Sequence, residues 1–147
     1  MEFLDGGTQG LALTGEISGR RAVIILDAIR AGGRAGTVHV LRSPRAARGA
    51  LYGEASGTAS LPFHSAGPAT AHDGNAQELI AAAALLGQSP EELFVIGIEP
   101  EKMDTGIGLS ALVETAIGTA FTRAAEIGEQ LRNKYANDLQ GAERQCA

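Results

Sequence analysis

Cysteine occurs once in the 147 residues, as Cys146 beside the C-terminus. That scarcity excludes a disulfide scaffold and any cysteine-rich zinc site, and it fits a reducing compartment. Tryptophan is absent, aromatic residues make up 4% of the chain, and 17 acidic side chains outnumber 12 basic ones for a net charge of -5. A nucleic-acid surface needs basic grooves and stacking rings, so the composition argues against that function. No apolar run approaches the roughly 18 residues of a membrane span. Met1-Glu2-Phe3-Leu4-Asp5 lacks the basic start of a signal peptide. A soluble, unprocessed, cytoplasmic protein is therefore expected. Seven of the ten arginines fall between Arg20 and Arg48. They form either a solvated loop face or a patch that steers an acidic partner.

What is present is one domain's worth of alternating strands and helices. Ala22 to Asp27 and Leu93 to Glu99 are apolar and rich in β-branched residues without alternation, the pattern of parallel strands covered on both faces. Glu2 to Leu4 and Thr37 to Leu41 are shorter strand candidates. Asn75 and Glu78 have the spacing of a capping box, so a helix should begin there and stop at Gly87. A longer helix is predicted from Leu109 to Tyr135 on the three-and-four spacing of Leu112, Val113, Ala116, Ile117, Ala120, Phe121, Ala124, Ile127 and Leu131. Gly118 and Gly128 interrupt it, and close packing on the sheet would account for both. The order of elements predicts an α/β sandwich over residues 1–136, followed by a polar tail, 137–147, that frays. Between Ser43 and Ala71 lies a Gly, Ala, Ser and Pro-rich stretch, either a functional loop or a disordered one.

Ligands of open parallel sheets bind beyond the carboxyl ends of the strands, and three acids stand at such ends: Asp5, Asp27 and Glu99. Each could be a turn residue or helix cap instead. Asp5-Gly6-Gly7-Thr8 offers glycines that permit positive φ or close approach of a ligand. An ordinary tight turn and a phosphate-binding loop both fit, although neither the G-x-G-x-x-G spacing nor a Walker lysine is present. His39 falls within a strand and should be packed, and His64 has no partner in view. His72 precedes the Asn75 cap, where the helix dipole favours the neutral, metal-binding imidazole; a loop histidine without a role fits as well. No serine sits in a nucleophile elbow, and Cys146 has no base beside it.

Taken in order, Phe3-Leu4-Asp5-Gly6-Gly7-Thr8, Val23 to Ile29, Gly36 to Arg42, Ala71-His72, Val95 to Glu101, and Gly106 to Ser110 before Val113-Glu114 resemble the [NiFe]-hydrogenase maturation proteases, from Phe3 to about Leu131. The resemblance implies a three-layer α/β/α sandwich around a twisted, mainly parallel sheet. It implies an aspartic-type endopeptidase that removes the C-terminal extension of the nickel-loaded large-subunit precursor. It assigns Asp27 and His72 to nickel, which belongs to the precursor, and Asp5, Gly6, Gly7 and Thr8 to substrate recognition. In the family a further strand, a G-x-G-N turn and a D-E-G segment carrying a third metal-contacting glutamate precede the D-G-G-T loop. These 147 residues begin at the next strand, so an N-terminally truncated sandwich without that ligand is expected. Two alternatives stand beside the protease: a module that holds the precursor without cutting it, and a small α/β phosphate-binding domain.

Overall fold

Side chains branched at Cβ suit a pleated surface better than a helix, and both runs of them form strands. The computed structural model describes residues 1–7, 9–43, 76–103 and 107–145. In chain order it has a 3-10 turn, Gly10–Leu13, leading into a single helical turn α1 (Thr14–Ile17). Strands β1 (Ala22–Ala28) and β2 (Val38–Ser43), helix α2 (Ala76–Leu85), strand β3 (Glu92–Ile98) and helix α3 (Ala111–Gln145) follow.

The strands form one sheet in the order β1-β3-β2. β1 runs parallel to β3, with Ala22 opposite Glu92 and Ala28 opposite Ile98, while β2 is antiparallel to β3. The described sheet is thus mixed rather than mainly parallel. The reason is the connection between β1 and β2, residues 29–37, which is too short for the crossover that a parallel return demands.

Alternate residues of β3 face opposite layers. Leu93 and Val95 join Ile29, Ala76 and Ile80 in a buried cluster flanked by Val23, Ile25 and Leu41, so α2 covers this face. Ile17 of α1 packs with Leu79 and Ala83 of α2 beside it. Ile96, 1% exposed, belongs to the opposite face. There α3 crosses all three strands, and the three layers of the expected sandwich are present.

Several expectations change. Glu2 to Leu4 is not a strand; a strand exists only with a partner for its backbone, and this segment has none in the described sheet. β1 is less covered than its sequence suggests, because it stands at the edge of that sheet: residues 22–25 are half-buried and residues 26–28 exposed. α3 continues ten residues beyond Tyr135, to Gln145, through the segment expected to fray. Ala, Leu, Gln, Glu and Arg dominate that stretch, and all are strong helix formers. The covered stripe of α3 is also narrower than the periodicity indicates. Ala116 and Ala120 are buried, while Leu112, Ile117 and Phe121 are exposed. Close packing does not explain Gly118, where a Cβ would meet nothing within 4 Å among the described residues, and at Gly128 the neighbour is Met1 rather than the sheet.

α2 ends as expected. Gly87 has φ +67°, the left-handed conformation that closes a helix, and the amides of Gly87 and Gln88 bond back to Ala84 and Ala83. The cap expected of Asn75 and the stretch from 44 to 71 lie outside the described residues.

Candidate active site

Asp27 is the penultimate residue of β1, and its exposed carboxylate faces the start of α2. One oxygen accepts the N–H of Ala28 at 2.8 Å, and the other accepts the N–H of Ala76, first residue of α2, at 3.3 Å. Two backbone donors, one of them the first N–H of a helix, therefore fix the position of this carboxylate. A carboxylate has about four acceptor positions, and the bonds to it among the described residues use two of them. His72 precedes Ala76 by four positions in the sequence and lies outside the described residues. Among the described residues, no three His, Cys, Asp or Glu side chains cluster closely enough to hold a metal ion.

The loop that follows residues 1–4 is a tight turn. Asp5 Oδ1 accepts the N–H of Gly7 at 3.0 Å, and the N–H of Gln9 bonds the carbonyl of Gly6 at 3.1 Å. The two glycines serve different needs. Gly7 has φ +49° with open space where a Cβ would project, whereas a Cβ on Gly6 would come within 2.8 Å of Leu13 Cδ1. The close approach at Gly6 is thus to the protein's own core. Because Gly7 N–H is bonded to an exposed carboxylate, an anion there would meet negative charge, which disfavours the phosphate-loop reading. Thr8 lies outside the described residues.

Asp5, Gly6 and Gly7 share a cleft of about 1190 Å³ with Ala22 to Leu26 of β1. Leu13 and Ile17 contribute to its lining, as do Leu131 and Tyr135 of α3. The loop and the strand that delivers Asp27 are therefore two walls of one cleft, with Asp27 just past its lining at Leu26.

The third strand-end acid does not join them. Glu99 is 6% exposed and turns into the loop between β1 and β2. Its Oε2 accepts the N–H groups of Ala31 at 2.9 Å and Gly33 at 3.1 Å, and His39 Nε2 lies 3.2 Å from the same oxygen. Burial opposes ionisation, but these three neighbours outweigh it and hold the carboxyl below its ordinary range. His39 is thus packed, as its place within a strand predicts, and its partner is an acid that the sequence alone did not connect to it. The signal was register: Asp27 and His39 both stand opposite Gly97, one on each neighbouring strand, and Glu99 follows on the same face.

A sequence profile described as "Hydrogenase maturation protease" matches residues 1–54 and 58–127. The chain is 33% identical over 122 residues to the hydrogenase 2 maturation protease of Escherichia coli K12, a match covering 82% of this chain and 65% of that protein. It is 29% identical to the hydrogenase expression/formation protein HoxM of Azotobacter vinelandii, covering 87% and 58% of the two. The chain therefore spans less than two thirds of the length of these curated relatives. Its fold superposes on the solved hydrogenase maturating endopeptidase HybD of E. coli with a TM-score of 0.62 at 29% identity, covering 88% of this chain and 72% of that one.

Proposed function

The chain belongs to the hydrogenase maturation protease family, and on that premise we propose that it is an endopeptidase removing the C-terminal extension from a nickel-loaded [NiFe]-hydrogenase large-subunit precursor. The observation that carries this reading is Asp27, an exposed carboxylate fixed by two backbone N–H groups beside a cleft that also holds the Asp5-Gly6-Gly7 turn.

Nickel enters as part of the substrate. Asp27 and His72 are the residues of this chain that contact it, and a carboxylate with an imidazole is a donor set that suits the ion. Asp5, Gly6, Gly7 and Thr8 read the precursor, with the open side of Gly7 leaving room for its backbone. Hydrolysis adds the oxygen of one water to the scissile carbonyl carbon and breaks the C–N bond, leaving a carboxylate and an amine. Asp27 and His72 would hold the nickel, which would supply Lewis-acid polarisation of that carbonyl. The remaining lone pairs of the carboxylate orient the water and accept its proton, an aspartic-type role. A single cysteine fits a reducing compartment, which supports reading the reaction as cytoplasmic. No helix among the described residues is long and apolar enough to cross a membrane.

The test is incubation with nickel-loaded precursor, read as a loss of mass. Cleavage by the parent chain is expected, with Asp27→Ala and His72→Ala each slowing it at least about a hundredfold. Undiminished cleavage by folded Asp27→Ala would remove that residue from the reaction. Precursor that is retained but left intact by the parent would favour the module that binds without cutting.

A further inference from the structure

Beyond Asp27 the chain does not leave the sheet directly. The N–H of Ile29 bonds the carbonyl of Ile98 at 3.1 Å, and the Ile29 side chain lies over Gly97, where any Cβ would overlap it. The loop then wraps the end of β3 and is tied to one residue throughout. Glu99 Oε2 receives the N–H groups of Ala31 and Gly33, the carbonyl of Glu99 receives the N–H of Gly36 at 2.8 Å, and its own N–H bonds Thr37 at 2.9 Å. Ile29 is 5% exposed and packs with Ala76, whose N–H is the donor to Asp27.

From this continuous set of contacts we infer that Glu99, backed by His39, is a positioning residue for Asp27, acting through the 29–36 loop and the seat of Ile29 against Gly97 and Ala76. A buried carboxylate is costly unless its lone pairs are used. Here one oxygen serves two backbone amides that belong to no strand or helix, and His39 Nε2, buried without an aligned hydrogen-bond partner among the described residues, closes the third side at 3.2 Å. Released, the loop would let Ile29 slide off Gly97, and the end of β1 would lose the packing that sets Asp27 against α2. Glu99 touches neither substrate nor the reacting atoms. Its effect is on the placement of a carboxylate, for which a displacement of about 1 Å can cost two orders of magnitude in rate.

The inference rests on the protease reading for its catalytic consequence but not for its geometry, so two readouts separate them. In amide NMR spectra, Glu99→Ala should move the resonances of Ala28 and Ala76, the donors to Asp27, while Glu99→Gln, which keeps an acceptor oxygen for Ala31 and Gly33, should largely preserve them. In the precursor assay, Glu99→Ala should lower kcat at least about tenfold with KM within about twofold, and Glu99→Gln should recover most of it. Should Glu99→Ala not fold, Gly33→Ala provides the same test, because its Cβ would press to within 3.0 Å of His39 Nε2 and 3.4 Å of Glu99 Oε2. Unchanged Ala28 and Ala76 resonances in a folded Glu99→Ala or Gly33→Ala chain would overturn the inference, whether or not the parent cleaves. A parent that does not cleave, with resonances that shift as described, would overturn the protease reading and leave the positioning role standing.

Discussion

Glu92 and Glu99 stand at opposite ends of the same central strand, both nearly buried and both held ionised, yet by different means. At the amino end Glu92 is neutralised by side chains: Arg42 at 2.7 Å from β2, and Lys134 from α3. The same corner is closed by Tyr135, whose hydroxyl donates to the carbonyl of Arg21 at 3.0 Å beneath the Arg21 guanidinium. At the carboxyl end Glu99 is served by backbone N–H groups and one histidine. Long cationic side chains can re-solvate when their partner is lost, whereas loop amides pulled from a buried acceptor lose their only partner. One end fastens a helix to the sheet; the other shapes a loop beside the Asp27 carboxylate.

The sharpest way to break this contrast is to disturb the carboxyl end without touching a charge. Gly97→Val places a side chain where Ile29 now sits. Overpacking of a tight core costs about 1–3 kcal/mol, and here the displaced residue is also the link between loop and site. Chemical denaturation should show that loss, and precursor processing should fall further than the stability change alone would explain. A variant with parental stability and processing would mean that Ile29 has room to move.

Much of this arrangement was legible before any coordinates. The apolar β-branched runs announced β1 and β3, Gly87 announced the end of α2, and Asp27 stood out as an acid at a strand end. What escaped depends on partners distant in sequence. Glu2 to Leu4 has strand-like residues but no strand beside it, so its pattern misleads. The direction of β2 follows from the brevity of the 29–37 loop, not from residue type. Glu99 looked like a ligand because its position resembles that of Asp27; only the folded loop reveals that its oxygen is already occupied. The length of α3 was missed because residues 136–145 carry a single large apolar side chain, Leu139, too few to extend the stripe.

At the amino end the effect of removing the charge should be smaller. Glu92→Gln keeps shape and one acceptor but gives up the attraction to Lys134 and Arg42, whose side chains are 50% and 63% exposed. Exposure of both cations discounts the pair, leaving about 1–2 kcal/mol, to be read from a shift in the denaturation midpoint. Processing of the precursor should be unaffected once the chain is folded. A loss of processing larger than the loss of stability would show that the two ends of β3 are coupled.

Acid should weaken both ends together, with a sign that follows from the direction of the shifts. Hydrogen bonds from Lys134 and then Arg42 hold Glu92 below its ordinary pKa, and the loop amides do so for Glu99 against the opposing effect of burial. The unfolded chain then binds more protons than the folded one. The stability these groups contribute is fully present above about pH 4.5 and is lost as pH falls through their lowered folded values. Melting temperatures measured from pH 6 downward should therefore fall below about pH 4.5. Glu92→Gln should flatten that fall without abolishing it, because Glu99 still titrates. A slope identical to the parent's would assign the acid sensitivity entirely to the carboxyl end.

The smallest effect should come from a position that belongs to neither end. Gly118 lies inside α3, exposed, with nothing among the described residues within 4 Å of where a Cβ would stand. Glycine inside a helix costs up to about 1 kcal/mol relative to alanine, because the unfolded chain has more backbone freedom to lose. Gly118→Ala should therefore raise the melting temperature by a few degrees while leaving precursor processing and the amide resonances of Ala28 and Ala76 as they are. It is the control for the other variants, since it changes global stability alone. If Gly118→Ala destabilised the chain, a surface would have to cover this stretch of α3 in solution, and the neighbouring exposed Ile117 and Phe121 would be the first residues to examine for that contact.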